Sequence, residues 1–370
     1  MSELSLISAL KRGRLYFARP PGEPDPLDFA LARLAGCAPR VAGGGFIHLP
    51  MVLETLDANG LAWRIPETLR QALQGGALQP APPLSAPIQA DRAGDADAHG
   101  DEARYADWRA FFLERIATDG WRETLAETAA AFAASAQSAA CHVLIRTAHA
   151  ARALLRRDTP ARRGELASAL ASWAAMHKPP QRKRAATRGD LDPAEALALI
   201  RDGEPGAALS EGSISAGIKA GAAAPGVAEA VARADLSGPA EAAADRVLAA
   251  FARLFLQRAR DGYTALVFTH AITGVTAARR LAPLVDQAAA RRLVFEAFEA
   301  GAAMKAGFAA HPIKLADDST PRPKSAVARA ASGGAEHAIK LADALTEAYA
   351  RTGDRVFAEA CERGIALLDG

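Results

Sequence analysis

Apolar residues recur along most of the chain at helical spacing. From Tyr105, the positions Trp108, Phe111, Phe112, Leu113 and Ile116 fall on one face. That three-to-four spacing predicts a helix, and alanine-rich segments extend the helical pattern to about Arg157. A shorter stripe of Leu49, Val52, Leu53 and Leu56 follows a turn at Gly43, Gly44 and Gly45. Further helices are predicted over Gly164 to His177 and over Ala240 to Arg260, the latter opened by Ser237, Gly238 and Pro239. After a break at Gly262, a helix carries His270 to about Arg280, and others cover Asp286 to Ala309, Ala335 to Arg351 and Asp354 to Leu368. Asp192, Pro193 and Glu195 read as N-cap, first and third positions of a helix reaching about Asp202, because that order satisfies free amides and suits the helix dipole. Strand signals are scarce.

These elements predict an all-α fold: a single compact multi-helix domain over residues 1–370, with long helices around a central buried metal site. Residues 76–104, rich in Pro, Ala, Gly and Asp and carrying His99, predict a flexible surface loop. The chain has 44 basic and 42 acidic residues, so no global field draws it to nucleic acid or an anionic surface. The basic run at 178–188 contains two prolines and no aromatic residue, which predicts a solvated loop rather than a nucleic-acid patch. No stretch is long and apolar enough for membrane crossing. Three widely separated cysteines, Cys37, Cys141 and Cys361, predict reduced thiols in a cytoplasmic protein. A small-molecule partner is the expectation, and a homodimer is compatible with it.

The candidate chemistry lies on inward helical faces. His142, Arg146 and His149 stand at i, i+4 and i+7, one face of a helix through Ala139 to Arg157, although His142 and His149 are roughly 10 Å apart along its axis. His270 shares a face with Leu266, Thr273, Gly274 and Ala277, and Gly274 leaves room for a ligand beside it. His337 and Lys340 begin a stripe that continues through Leu341, Ala344, Leu345 and Ala348. A lysine on a core-facing stripe must be paired, neutral or converted, and a neutral amine can take up carbon dioxide to become a carbamate. Imidazoles with one anionic oxygen suit iron(II), though zinc and manganese accept the same donors. Any one of these histidines alone reads as a hydrogen-bonded core residue. His177 and His311, each near a helix end, read as capping residues.

At CHVLIRTAHAARAL, FTHAITGVTAARRLAPLV and EHAIKLADALTEAYARTGD the chain resembles the questin oxidase-like family, with further likeness at YADWRAFFLERIATDGW and at the HLP segment. The resemblance implies oxidative ring opening of an aromatic, quinone-like or polyketide substrate, by oxygenation of Baeyer-Villiger type or by an iron-dependent dioxygenase. It implicates His48, His142, His270, His337 and Lys340 as ligands of Fe(II), with O2 as oxidant, a carbon dioxide-derived carbamate on Lys340, and NADPH as a reductant. His149, standing where relatives carry tyrosine, competes for a place, and Arg146 is assigned to hold an anionic phenolate or enolate. Two other readings use the same residues: a metal-dependent hydrolase, and a helical ligand-binding protein without catalysis.

Overall fold

Local capping chemistry decides where many helices begin. The computed structural model describes residues 25–95, 97–180, 186–201, 213–308 and 325–369. Helix α1 (Pro26–Leu34) starts at Asp25, whose carboxylate accepts the amides of Leu27 and Asp28. Strand β1 (Cys37–Val41) follows, then α2 (Leu49–Ala58), α3 (Ile65–Gln74) and strand β2 (Leu78–Pro80). Helices α4 (Tyr105–Asp119) and α5 (Trp121–Phe132) are split by Gly120 at φ 87°, a left-handed conformation that suits glycine. Next come α6 (His142–Arg156) and α7 (Pro160–Ala175), the second capped by Thr159.

Helix α8 (Pro193–Ala198) carries the expected capping box of Asp192 and Glu195, but ends sooner than anticipated. Helices α9 (Ile214–Gly221) and α10 (Pro225–Arg233) lead to the long α11 (Ala240–Arg258), α12 (Gly262–Leu281) and α13 (Gln287–Gly307). The chain closes with α14 (Ala326–Gly333), α15 (Glu336–Thr352) and α16 (Arg355–Leu368). The fold is all-α, and the one sheet among the described residues is the antiparallel pair β1–β2.

Helix α12 sits at the centre. Nearly all its residues from Thr264 to Ala278 are buried, and it packs against α6, α11, α13, α15 and α16. Four helices close a ring of contacts around the site described below: α2 on α6, α6 on α12, α12 on α15, and α15 on α2. Small residues allow close approach elsewhere, as where Gly221 of α9 meets the backbone of α13 at Ala303 and Gly307.

Two expectations change. The described residues of 76–104 are anchored to the body at several points: β2 pairs with β1, Asp107 accepts the Ser85 and Ala86 amides, and Trp108 Nε1 donates to the Ala98 carbonyl. The low apolar content is compensated by these polar anchors. Second, α6 does not begin at Ala139. Ala139, Ala140 and Cys141 adopt φ of 50°, 54° and 67°, and the helix opens at His142. No helix among the described residues is long and apolar enough to cross a membrane.

Candidate metal centre

Each helix of the four-helix ring contributes one histidine near the same point. His48 immediately precedes α2, His142 opens α6, His270 lies mid-way along α12, and His337 is the second residue of α15. Their ring centroids follow the same circuit as the helices: His48 to His142 is 4.7 Å, His142 to His270 is 4.7 Å, His270 to His337 is 5.1 Å, and His337 to His48 is 4.5 Å. Phe46 stacks on His142 at 5.0 Å and forms part of the surrounding wall.

Hydrogen bonding orients three of the rings. His142 Nδ1 lies 2.6 Å from the Ala139 carbonyl oxygen, His270 Nδ1 lies 2.7 Å from that of Leu266, and His48 Nδ1 lies 3.0 Å from Glu336 Oε2. A carbonyl or carboxylate oxygen only accepts, so each Nδ1 carries the proton and, in the neutral ring, each Nε2 presents a lone pair. His142 Nε2 faces two of them, His48 Nε2 at 2.7 Å and His270 Nε2 at 3.3 Å. Acceptors this close in each of the two pairs repel unless a proton or a cation lies between them. Nitrogen ligands about 2.1 Å from one ion stand roughly 3.0–3.4 Å apart, so one spacing matches and the other is just below it.

Electrostatics disfavours the proton. Burial, the Lys340 ammonium and the neighbouring imidazoles hold His48, His142 and His337 well below the ordinary histidine value; burial and Lys340 lower His270 to about 4. His337 Nε2 is buried with no hydrogen-bond partner among the described residues, a costly arrangement for an imidazole. Ring nitrogens of His48, His142 and His337 all lie within 4.8 Å of one another. Carbonyl and carboxylate partners behind inward-facing imidazoles are the usual support of metal ligands. The donor set therefore fits a transition-metal ion.

Lys340 is 3% exposed on the same stripe as His337. Burial lowers its amine to about 7, against a smaller opposing effect from Glu336. Near neutral pH a substantial share of the amine is thus uncharged and nucleophilic.

The left-handed turn before His142 holds this geometry. Three successive non-glycine residues at positive φ cost about 1–2 kcal/mol each, and such strain persists only where the surroundings enforce it. The turn brings the Ala139 carbonyl to His142 Nδ1. Gly274 of α12 makes room for the turn itself: a Cβ there would stand 3.2 Å from Cys141 Cβ and 3.3 Å from its Sγ. The space anticipated for a ligand beside His270 is filled by Cys141, whose thiol burial pushes up to about 12.

Two sequence-derived candidates lie elsewhere. His149 Nδ1 is 2.6 Å from Glu54 Oε2, and Glu54 also binds Arg152 and Arg156. The seven-residue offset from His142 carries its ring into this separate charge network, so His149 leaves the ligand set. Arg146 is committed to Glu165 through Nε at 2.7 Å and Nη2 at 2.9 Å, while Nη1 donates to Ser172 Oγ. Its charge is matched by a buried carboxylate of α7, which removes the assigned role of holding an anionic substrate.

His177 interacts with Ser135 Oγ at 2.7 Å and packs beside His99 rather than serving as a cap, and His311 lies outside the described residues. Glu336 was the residue missed. Its position beside His337, at the negative-favouring start of a helix, was the available signal. No family model and no curated protein matches the chain.

Proposed function

We propose that the chain is a non-heme iron-dependent oxygenase acting on a small aromatic substrate. Its ligands are His48, His142, His270 and His337, completed by a carbamate on Lys340. The observation that carries this reading is that His142 Nε2 stands close to the Nε2 atoms of both His48 and His270, each ring turned inward by an acceptor behind its Nδ1. The resemblance of the CHVLIR, THAITG and EHAIK segments to the questin oxidase-like family supplies the reaction class, oxidative ring cleavage with O2, and a reduced nicotinamide as candidate electron source. Iron(II) in a nitrogen and oxygen donor set supplies oxygen activation when bound.

The protein's own groups have defined tasks. Ala139, Leu266 and Glu336 hold the Nδ1 protons outward and so keep the inner nitrogens basic. The lone pair of the uncharged Lys340 Nζ attacks carbon dioxide, forming an N–C bond as one C–O π pair moves onto oxygen, and the nitrogen gives one proton to solvent, which turns a neutral amine into an anionic oxygen donor. Draining the ammonium form in this way removes the Lys340 charge that, after burial, helps to lower all four histidines.

Anaerobic reconstitution tests the reading. The expected result is one iron per chain, lower occupancy in buffer stripped of carbon dioxide, and recovery on adding bicarbonate. Lys340→Ala is expected to lose both the iron and the bicarbonate response. A folded chain that takes up no iron under these conditions overturns the proposal; zinc occupancy with oxygen-independent turnover replaces it by the hydrolase.

A further inference from the structure

The C-terminal end of α7, the residues that follow it and helix α9 border a cleft of about 640 Å³. Its apolar surface is aliphatic: Met176 and Ile218 are buried, and Pro179, Ala222 and Ala223 extend it. Among the described residues no aromatic side chain lines the cleft, so nothing there stacks on a planar ring. The charged part is one-sided. Arg40, Lys178 and Lys219 face a single acid, Glu102, and that carboxylate is taken, since its two oxygens accept Arg40 Nε and Nη2, each at 2.8 Å. Lys178 helps to keep Glu102 ionised without touching it. The exposed Lys178 and Lys219 form no ion pair among the described residues. Two buried carboxylates of α13, Glu296 and Glu299, are screened from the cleft by Gln137, whose Nε2 donates to both, and Glu296 is also paired with Arg292.

We propose that this cleft binds an aliphatic carboxylate, its anionic head between Lys178 and Lys219 and its chain along Met176 and Ile218. A concave apolar surface with a few charged groups at its edge is the usual build of a small-molecule site. Methionine and aliphatic side chains adapt to a flexible chain, and two ammonium groups with no acidic partner select an anion over a cation of the same shape. None of the four clustered histidines lines the cleft, so the site is separate from the candidate metal centre and does not depend on its assignment.

The test titrates the full chain with decanoate and with decyltrimethylammonium, which carry the same tail and opposite heads, by isothermal titration calorimetry and equilibrium dialysis. Saturable binding of one decanoate per chain is expected, with decyltrimethylammonium weaker by at least about ten-fold. Reversing both charges in a Lys178→Glu and Lys219→Glu double variant is expected to weaken decanoate by at least about ten-fold and to remove the preference for the anion. Ala223→Trp is expected to fill the cleft and weaken decanoate by a similar factor. All three positions are exposed, so the folded state of each variant is readily checked by circular dichroism. Raising the salt from about 50 mM to about 500 mM is expected to weaken decanoate several-fold, because exposed charges are screened.

Equal affinity for the two probes, or the lack of saturable decanoate binding, overturns the proposal. Decanoate binding that survives both the lysine reversal and Ala223→Trp lies elsewhere on the chain and overturns it as well. So does binding that is lost in Ala223→Trp yet indifferent to the lysine reversal, because the cleft then takes apolar chains without reading their charge.

Discussion

His142 and His149 share helix α6, both are buried, and burial lowers the proton affinity of both, yet they belong to different chemistry. His142 leans its Nδ1 on a backbone carbonyl and turns Nε2 toward two other imidazole nitrogens. His149 leans its Nδ1 on Glu54, a carboxylate already held by Arg152 and Arg156. The first region sets the His142 lone pair against two others, a clash that only a proton or cation reconciles. The second is a closed network in which guanidinium and carboxylate charges meet. What the inner nitrogen faces, rather than burial or helical face, separates a candidate ligand from a structural histidine.

Removing each histidine in turn is the sharpest way to break that comparison. His142→Ala is expected to lower iron affinity more than about 100-fold, since loss of even an outer partner of a ligand costs 10–100-fold. His149→Gln is expected to leave the iron content at the wild-type value. Metal analysis of both variants after identical reconstitution decides the matter, and iron loss in His149→Gln would merge the two regions into one site.

The sequence made one side of this contrast legible and hid the other. His270, His337 and Lys340 stand on apolar stripes whose helical period is written locally, so their inward direction could be read directly. His48 precedes its helix on a short turn and was reached only through family resemblance. Nothing local could separate His142 from His149, because the separating partners are remote: Glu54 lies 95 residues from His149, and Glu336 lies 288 from His48. The turn at Ala139, Ala140 and Cys141 was concealed for a different reason. Alanine is the best helix former, so a left-handed alanine pair reads as helix until Gly274 of α12 is seen packed beside Cys141. The cap at Asp192 survived translation from sequence, because donor and acceptor lie within three residues.

The second region can also be opened from the carboxylate side. Glu54 is 2% exposed and receives Arg152, Arg156 and His149, while Arg152 also pairs with Asp343, which in turn binds Arg280. Glu54→Gln keeps the shape and removes the charge, leaving the guanidiniums short of one buried anion. The expected loss of stability is about 3–5 kcal/mol, the usual cost of breaking one partner out of a buried ion pair. Urea unfolding measures it. Iron stoichiometry of the folded fraction is expected to stay at the wild-type level, because Glu54 touches none of the four candidate ligands. A loss under about 1 kcal/mol would place the network in the class of solvent-screened surface pairs.

The smallest effect concerns whether His149 is charged, and its sign follows from linkage. Burial is the largest influence on its pKa and lowers it to about 4; Arg152 and Arg280 act in the same direction, and Glu54 opposes them. In the unfolded chain the ring titrates near 6.5. Between about pH 6.5 and pH 4 the unfolded state therefore holds a proton at this position that the folded state lacks. The stabilisation is complete above about pH 6.5 and drains away as pH falls toward 4, by up to about 1.4 kcal/mol per pH unit. His149→Gln has no such proton, so its stability should fall less steeply over that window. The lowered histidines of the candidate metal centre also weaken the acid side, but they are present in both chains and cancel in the difference. Urea unfolding of metal-free wild type and variant at pH 7, 6 and 5 measures the divergence. Parallel curves would mean that the folded His149 ring takes up its proton at the same pH as the unfolded one, in which case burial does not hold it neutral.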